Sequence, residues 1–262
     1  MLRTRIITAV ISLVILGAVL FVVPATIAKI VIAFLIVAGA WEWSGFLGFS
    51  SDAGRYSYVV LIAALMAAMV FVVPQHADLL LQIACVWWFV AFIWTFFFPT
   101  PIPTAIRWLC GALVLVPLFV GLLSLYSLTP KLLLFALLIV WAADMGAYFA
   151  GKQFGRVKLA PSISPGKTWE GVFGGLILVV VLTLIWAHYA EMELNVLLPF
   201  CLAVGALSVV GDLTVSMFKR TAGVKDSGKL FPGHGGVLDR VDSVSAAAPL
   251  FALGLNWLGL VS

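Results

Sequence analysis

Charge is scarce in this sequence. Asp, Glu, Lys and Arg make up 10% of its 262 residues. Soluble globular domains carry about a quarter, so an ordinary water-soluble fold is excluded. Cysteine is scarcer still. Cys85, Cys110 and Cys201 stand singly in apolar segments, without zinc-ligand spacing or any sign of a disulfide framework, and read as small buried hydrophobes. Of three histidines, His76 and His188 sit alone at the ends of apolar runs and His234 lies in a glycine turn. No Ser-His-Asp or Cys-His set is visible, so covalent nucleophilic catalysis has no obvious carrier. Repeats of useful length and low-complexity tracts are missing too. So is the alternating pattern of a membrane barrel. A net charge of +4 gives no reason to expect nucleic acid as a partner.

Hydrocarbon is what the sequence has in abundance: 64% apolar residues and a mean hydropathy of +1.19. About twenty apolar residues span a bilayer as a helix. Backbone polar groups in lipid must be satisfied within the segment, which favours helices. The pattern predicts an all-α, polytopic membrane helix bundle with about nine transmembrane helices. The spans are Ile6–Val23, Ile27–Leu47, Tyr56–Val73, Leu79–Phe98, Ala105–Tyr126, Leu132–Ala150, Val172–Tyr189, Val196–Met217 and Val244–Val261. The first, behind Arg3 and Arg5, is longer than the apolar core of a signal peptide and is read as retained. Pro74, the Pro99/Pro101/Pro103 cluster and Pro130 punctuate the runs, as proline does at helix edges. In the second span Glu42 lies between Trp41 and Trp43. Tryptophan favours the membrane interface, so Glu42 is read either as a mark of helix depth or as a structural residue behind the site.

With nine alternating spans, thirteen of the fifteen Lys and Arg residues fall on the amino-terminal side, and only Lys29 and Lys131 on the other. Cytoplasmic loops carry the excess of Lys and Arg. The amino terminus and both long polar connections, Gly151–Glu170 and Phe218–Asp242, are therefore expected in the cytoplasm. The chain is read as a single domain, 1–262. Residues 1–126 form a scaffold with possible dimer contacts, and residues 127–262 form a catalytic half.

The two connections, with Asp144 and Asp212, hold fifteen of the 26 charges. Topology signalling needs the cations but leaves the acids among them unexplained. Asp144 and Asp212 lie inside apolar runs, where an ionisable residue is a functional-site hypothesis by default. Carboxylates interleaved with cations suit a metal ion plus phosphate oxygens, because Mg²⁺ takes both as ligands. Two like charges 4 Å apart repel by roughly 4 kcal/mol at an effective dielectric of 20, so clustered acids need a cation. A lysine supplying that cation in a purely structural ion-pair network is the plainer alternative.

Ser164-Pro165-Gly166-Lys167-Thr168 resembles a P-loop only superficially. Pro161 stands where GxxxxGK[ST] requires glycine, and no strand is expected before it. Lys167 and Thr168 sit instead at the expected start of a helix near Trp169, where free N–H groups favour an anion. Asp212 and Ser216 are four apart on one helix face, and the loop that follows has the length to bring Asp212 and Asp239 together. The turn Pro232-Gly233-His234-Gly235-Gly236 permits close backbone approach. His234 is read as a phosphate donor, a proton carrier or a loop-ordering residue.

Ser216-x-x-Lys219-Arg220, Lys225-Asp226, Gly228 and Pro232-Gly-His-Gly-Gly-Val-Leu-Asp-Arg-Val-Asp242 resemble the signature of the phosphatidate cytidylyltransferases. Asp144-x-Gly-Ala-Tyr, Ser164-Pro-x-Lys-Thr-x-Glu170 and Gly211-Asp212-Leu extend the resemblance over roughly the last half of the chain. The first half shares only hydropathy and Trp41-Glu42-Trp43. The resemblance implies that CTP and phosphatidic acid react to give CDP-diacylglycerol and pyrophosphate, with Mg²⁺ and a possible second cation. It also implies a homodimer in the bilayer of the bacterial inner membrane. Asp212, Asp239, Lys219 and Arg220 become the expected catalytic residues. Asp212 and Asp239 are the expected metal ligands, with Asp144 and Asp242 as candidates for a second site. Ser164, Lys167, Thr168, Ser216, Lys225, Asp226, His234, Gly235, Gly236 and Arg240 become expected substrate contacts. An ion-coupled transporter of phosphorylated solutes is the alternative. A CDP-alcohol phosphotransferase lacks its DGxxAR-type pattern here, and a passive scaffold gives no reason for the clustered acids.

Overall fold

The computed structural model describes residues 2–228, 230 and 235–259, and of residues 2–6 and 9 the backbone alone. Nine α-helices run through them: α1 Leu2–Phe21, α2 Ala25–Ser44, α3 Asp52–Phe71, α4 Ala77–Phe96, α5 Thr104–Leu128, α6 Pro130–Phe154, α7 Trp169–Ala190, α8 Leu194–Thr221 and α9 Leu238–Trp257. Each corresponds to one expected span, and the boundaries follow local chemistry. The Thr129 hydroxyl accepts from Lys131 N–H, with Pro130 next to it at the first helical position of α6, where proline's missing N–H costs nothing. The Thr168 hydroxyl caps α7 by accepting from Gly171 N–H.

Among the described residues, seven helices are long and apolar enough to cross a membrane, α2 to α8. The apolar stretch of α1, Val10–Phe21, is shorter. Helix α9 opens on Asp239, Arg240 and Asp242 and then becomes the most enclosed helix of the bundle, with Ser243–Pro249 and Phe251–Leu255 all buried. It packs chiefly against α8, α5 and α4. Large apolar side chains of α3 and α4, such as Val60, Phe71, Phe89 and Phe96, face outward, as expected of a surface solvated by lipid.

A two-stranded antiparallel hairpin corrects the sequence expectation that no strand precedes Lys167. Strand β1, Lys158–Ala160, pairs with β2, Ser164–Thr168, in the register Lys158↔Thr168 and Ala160↔Ser164. Glu170 secures its base by accepting from Val157 N–H with both carboxylate oxygens. The hairpin remains unlike a P-loop, because Ser164–Thr168 is itself extended strand and Thr168 is committed to capping α7.

Helices α6 and α7 approach closely along a glycine seam. A Cβ on Gly146 would meet the Gly174 carbonyl, and one on Gly175 would meet the Ala143 backbone. Small residues let membrane helices pack at van der Waals contact where no hydrophobic gradient drives them together. Gly175→Leu is expected to destabilise the bundle by at least about 1–3 kcal/mol, the range for overpacking. Thermal unfolding of the detergent-solubilised protein checks this, and an unchanged midpoint would contradict the seam.

Candidate functional site

Three helices and the hairpin bring the scattered charges together. Helix α8 supplies Asp212, Ser216 and Lys219 from one face. Asp212 Oδ1 accepts from Ser216 Oγ at 3.1 Å, and Asp212 Oδ2 pairs with Lys167 Nζ of the hairpin at 2.6 Å. Lys219, 7% exposed, reaches the first turns of α9. Its Nζ lies 2.8 Å from Asp239 Oδ1 and 3.6 Å from Asp242 Oδ2. Asp144 of α6 completes the group. It lies within electrostatic reach of Asp212, Lys167 and Arg240, with Ser243 also close to its carboxylate. Asp242 is likewise within reach of Asp212.

Lysines 167 and 219 thus act as ties between elements that the chain separates widely. Lys167 fastens the hairpin to α8, and Lys219 fastens α8 to α9. Arg220 adds a third tie, donating from Nε to the Ile163 carbonyl at the hairpin turn. The expected meeting of Asp212 and Asp239 therefore takes a particular form: lysine side chains lie among the acids.

The expected substrate contacts divide into three groups. Lys167, Ser216, Gly235 and Gly236 stand at the cluster, with Ser164 half-buried on the hairpin beside it. Lys225, Asp226 and Arg240 are exposed at its rim. Thr168 is buried, its oxygen used as the α7 cap. His234 lies outside the described residues.

The loop before α9 is held by two carboxylates. Asp239 Oδ2 accepts from Ser227 N–H at 2.8 Å and Gly236 N–H at 2.9 Å. Glu42, at the carboxyl end of α2, accepts from Ser227 Oγ at 2.7 Å, Val237 N–H at 2.9 Å and Leu238 N–H at 2.8 Å. Gly235 has φ +81°, a left-handed conformation that glycine adopts without strain. Of the two sequence readings of Glu42, the structural one holds. Trp43 departs from the interfacial expectation. It is fully buried, donating from Nε1 to the Arg107 carbonyl and lying against Phe46 and Phe218.

The donor chemistry suits a hard cation. Asp144, Asp212, Asp239 and Asp242 offer oxygen only, and if all four are ionised the two bonded lysines leave two negative charges in excess. Among the described residues no three acidic, histidine or cysteine side chains are grouped to hold a metal by themselves. A divalent ion would therefore complete its shell with water and phosphate oxygens, the usual habit of Mg²⁺.

Comparison with known proteins identifies the family. The Cytidylyltransferase family profile matches residues 3–258. A phosphatidate cytidylyltransferase of Pseudomonas aeruginosa is 42% identical over 98% of this chain and 97% of that protein. One of Haemophilus influenzae is 36% identical over 96% of this chain and 98% of its own length. One of Staphylococcus aureus is 48% identical over 45% of this chain and 46% of its own length.

Proposed function

Because the chain belongs to the Cytidylyltransferase family, we propose that it transfers the cytidylyl group of CTP to phosphatidic acid, forming CDP-diacylglycerol and releasing pyrophosphate. The observation that carries this reading is the convergence of Asp144, Asp212, Asp239 and Asp242 with Lys167 and Lys219 at one end of α6, α8 and α9. Two polyanions must meet for the reaction to occur, and such a cluster both binds phosphate and tolerates it.

The lipid phosphate serves as nucleophile, since a phosphomonoester carries most of its second negative charge near neutral pH, with pKa about 6. It attacks the α-phosphorus, the bond to the bridging oxygen breaks, and pyrophosphate leaves. Neither a protein nucleophile nor a strong base is needed. Lys167 and Lys219 turn their ammonium groups toward phosphate oxygens as the nucleotide displaces them from the carboxylates. Arg220, exposed beyond its bond to Ile163, adds charge at the rim with Lys225 and Arg240. Asp212 and Asp239, joined by Asp144 and Asp242, would hold Mg²⁺, and a second cation fits the same acids. When bound, the ion stabilises charge on the phosphates. Ser216 orients Asp212 by donating to it.

Residues 127–262 supply the chemistry and residues 1–126 the scaffold, in one domain that pairs as a homodimer. The charge asymmetry of the loops supports a cytoplasmic amino terminus and a cytoplasm-facing site in the inner membrane. CTP is a cytosolic solute, while the acyl chains stay in the bilayer. No feature of the fold or of the relatives favours the transporter alternative.

Purified protein incubated with labelled CTP, phosphatidic acid and Mg²⁺ is expected to yield labelled CDP-diacylglycerol, and none with excess EDTA. Asp212→Asn should lower product formation by at least about 10²-fold, the usual effect of removing one preorganised electrostatic group, while the protein still elutes as a folded species. Undiminished turnover in EDTA would remove the metal. Absence of lipid product in Mg²⁺ would overturn the assignment.

A further inference from the structure

We infer that Glu42 is a positioning residue for the active site, supplied by the amino-terminal half of the chain. Glu42 is 8% exposed, and its carboxylate receives three donors from the far end of the sequence: Ser227 Oγ, Val237 N–H and Leu238 N–H. The last two belong to the start of α9, where unpaired N–H groups and the helix dipole favour an anion. Asp239 grips the same loop from the other side through Ser227 N–H and Gly236 N–H. Ser227 therefore bonds both acids, and Gly236 and Val237 bond one each. The orientation of Asp239, and with it the Asp239–Lys219 pair, depends on the loop that Glu42 holds.

The glycines of the motif fit this role. A Cβ on Gly228 or on Gly236 would run into the Glu42 carboxylate. These two positions are small because a side chain from α2 fills the space beside them. The end of α2 is itself braced. Arg55 donates from Nε to Ser44 Oγ at 3.0 Å and from its guanidinium to the Trp41 carbonyl at 3.1 Å, with the guanidinium over the Trp41 ring. Arg107 donates to the Phe46 carbonyl at 2.9 Å. A solvated depth marker needs none of this bracing.

The catalytic consequence rests on the proposed cytidylyl transfer, whereas the clamp itself does not, so two readouts separate them. In Glu42→Gln, one acceptor oxygen becomes an NH₂ that faces an N–H donor, with volume unchanged. Amide hydrogen exchange by mass spectrometry should be faster in peptides covering 235–243 and unchanged in peptides from α4 and α5. The kcat for CDP-diacylglycerol should fall by about 10–100-fold, as when a partner that orients a ligand is removed, with KM for CTP within about threefold. Glu42→Ala should do at least as much in both assays. Wild-type exchange in 235–243 would overturn the clamp, and faster exchange with wild-type kcat would overturn the positioning role. If the wild-type protein makes no lipid product, cytidylyl transfer fails, the catalytic consequence falls with it, and the exchange result still decides the clamp.

Discussion

Asp239→Asn is expected to abolish detectable cytidylyl transfer while the protein remains folded. The side chain uses both oxygens: Oδ1 for Lys219 Nζ, Oδ2 for the N–H groups of Ser227 and Gly236. Asparagine has one acceptor oxygen, and its NH₂ must point either at an ammonium or at two backbone donors. Either orientation leaves a donor unmet, at about 1–3 kcal/mol for a buried group. The loop before α9 loosens, and one proposed metal donor is lost. Both effects lower kcat, and together they should exceed the ~10²–10³-fold typical of one electrostatic group. Transfer of label from CTP to lipid measures this, with size-exclusion elution as the check on folding. Wild-type turnover would remove Asp239 from the site.

Lys219→Met should cost stability as well as activity. The ammonium sits between Asp239 and Asp242, and its removal leaves two carboxylates facing each other in a largely closed space. Breaking a buried ion pair by deleting one partner costs about 3–5 kcal/mol. A lowered thermal midpoint and loss of lipid product are both expected. The double variant Lys219→Met/Asp242→Asn separates the two effects. Removing one of the facing charges should recover part of the midpoint and none of the activity, because the phosphate-binding cation is still missing. A single variant with an unchanged midpoint would mean that the pair is not structural. Recovered turnover in the double variant would mean that Lys219 does not touch substrate.

The helices were legible because lipid imposes length and hydrophobicity on each crossing: among the described residues each of the nine apolar runs corresponds to a helix, seven of them long and apolar enough to span. Even α9 was visible, through its run from Val244 onward, although three charges occupy its first turns. The β1–β2 hairpin was not. Its strands are three and five residues long, with Pro161 in the turn between them and Pro165 inside the second, too short and broken for a period-two pattern to register.

Acids stranded in hydrocarbon announce themselves by their cost, so Asp144 and Asp212 could be singled out before any coordinates. Which cation meets which acid could not be read. Lys167 and Asp212 lie on different elements, and nothing local to either names the other. Glu42 is the extreme case, with partners 185 to 196 residues away. Its flanking tryptophans suggested an interface, whereas Trp43 is packed inside the protein beside Phe218 of α8. The one trace in the sequence was the pair Gly228 and Gly236, small where a distant side chain needed room.

Binding of Mn²⁺, followed by its electron paramagnetic resonance signal as a probe of the Mg²⁺ site, tests the central claim most directly. With CTP present, the wild-type protein should take up Mn²⁺ in competition with Mg²⁺, and Asp212→Asn and Asp239→Asn should each lose most of that uptake. Equal Mn²⁺ binding by the variants, or none by a wild-type protein active in the same buffer, would contradict a cation held by these acids.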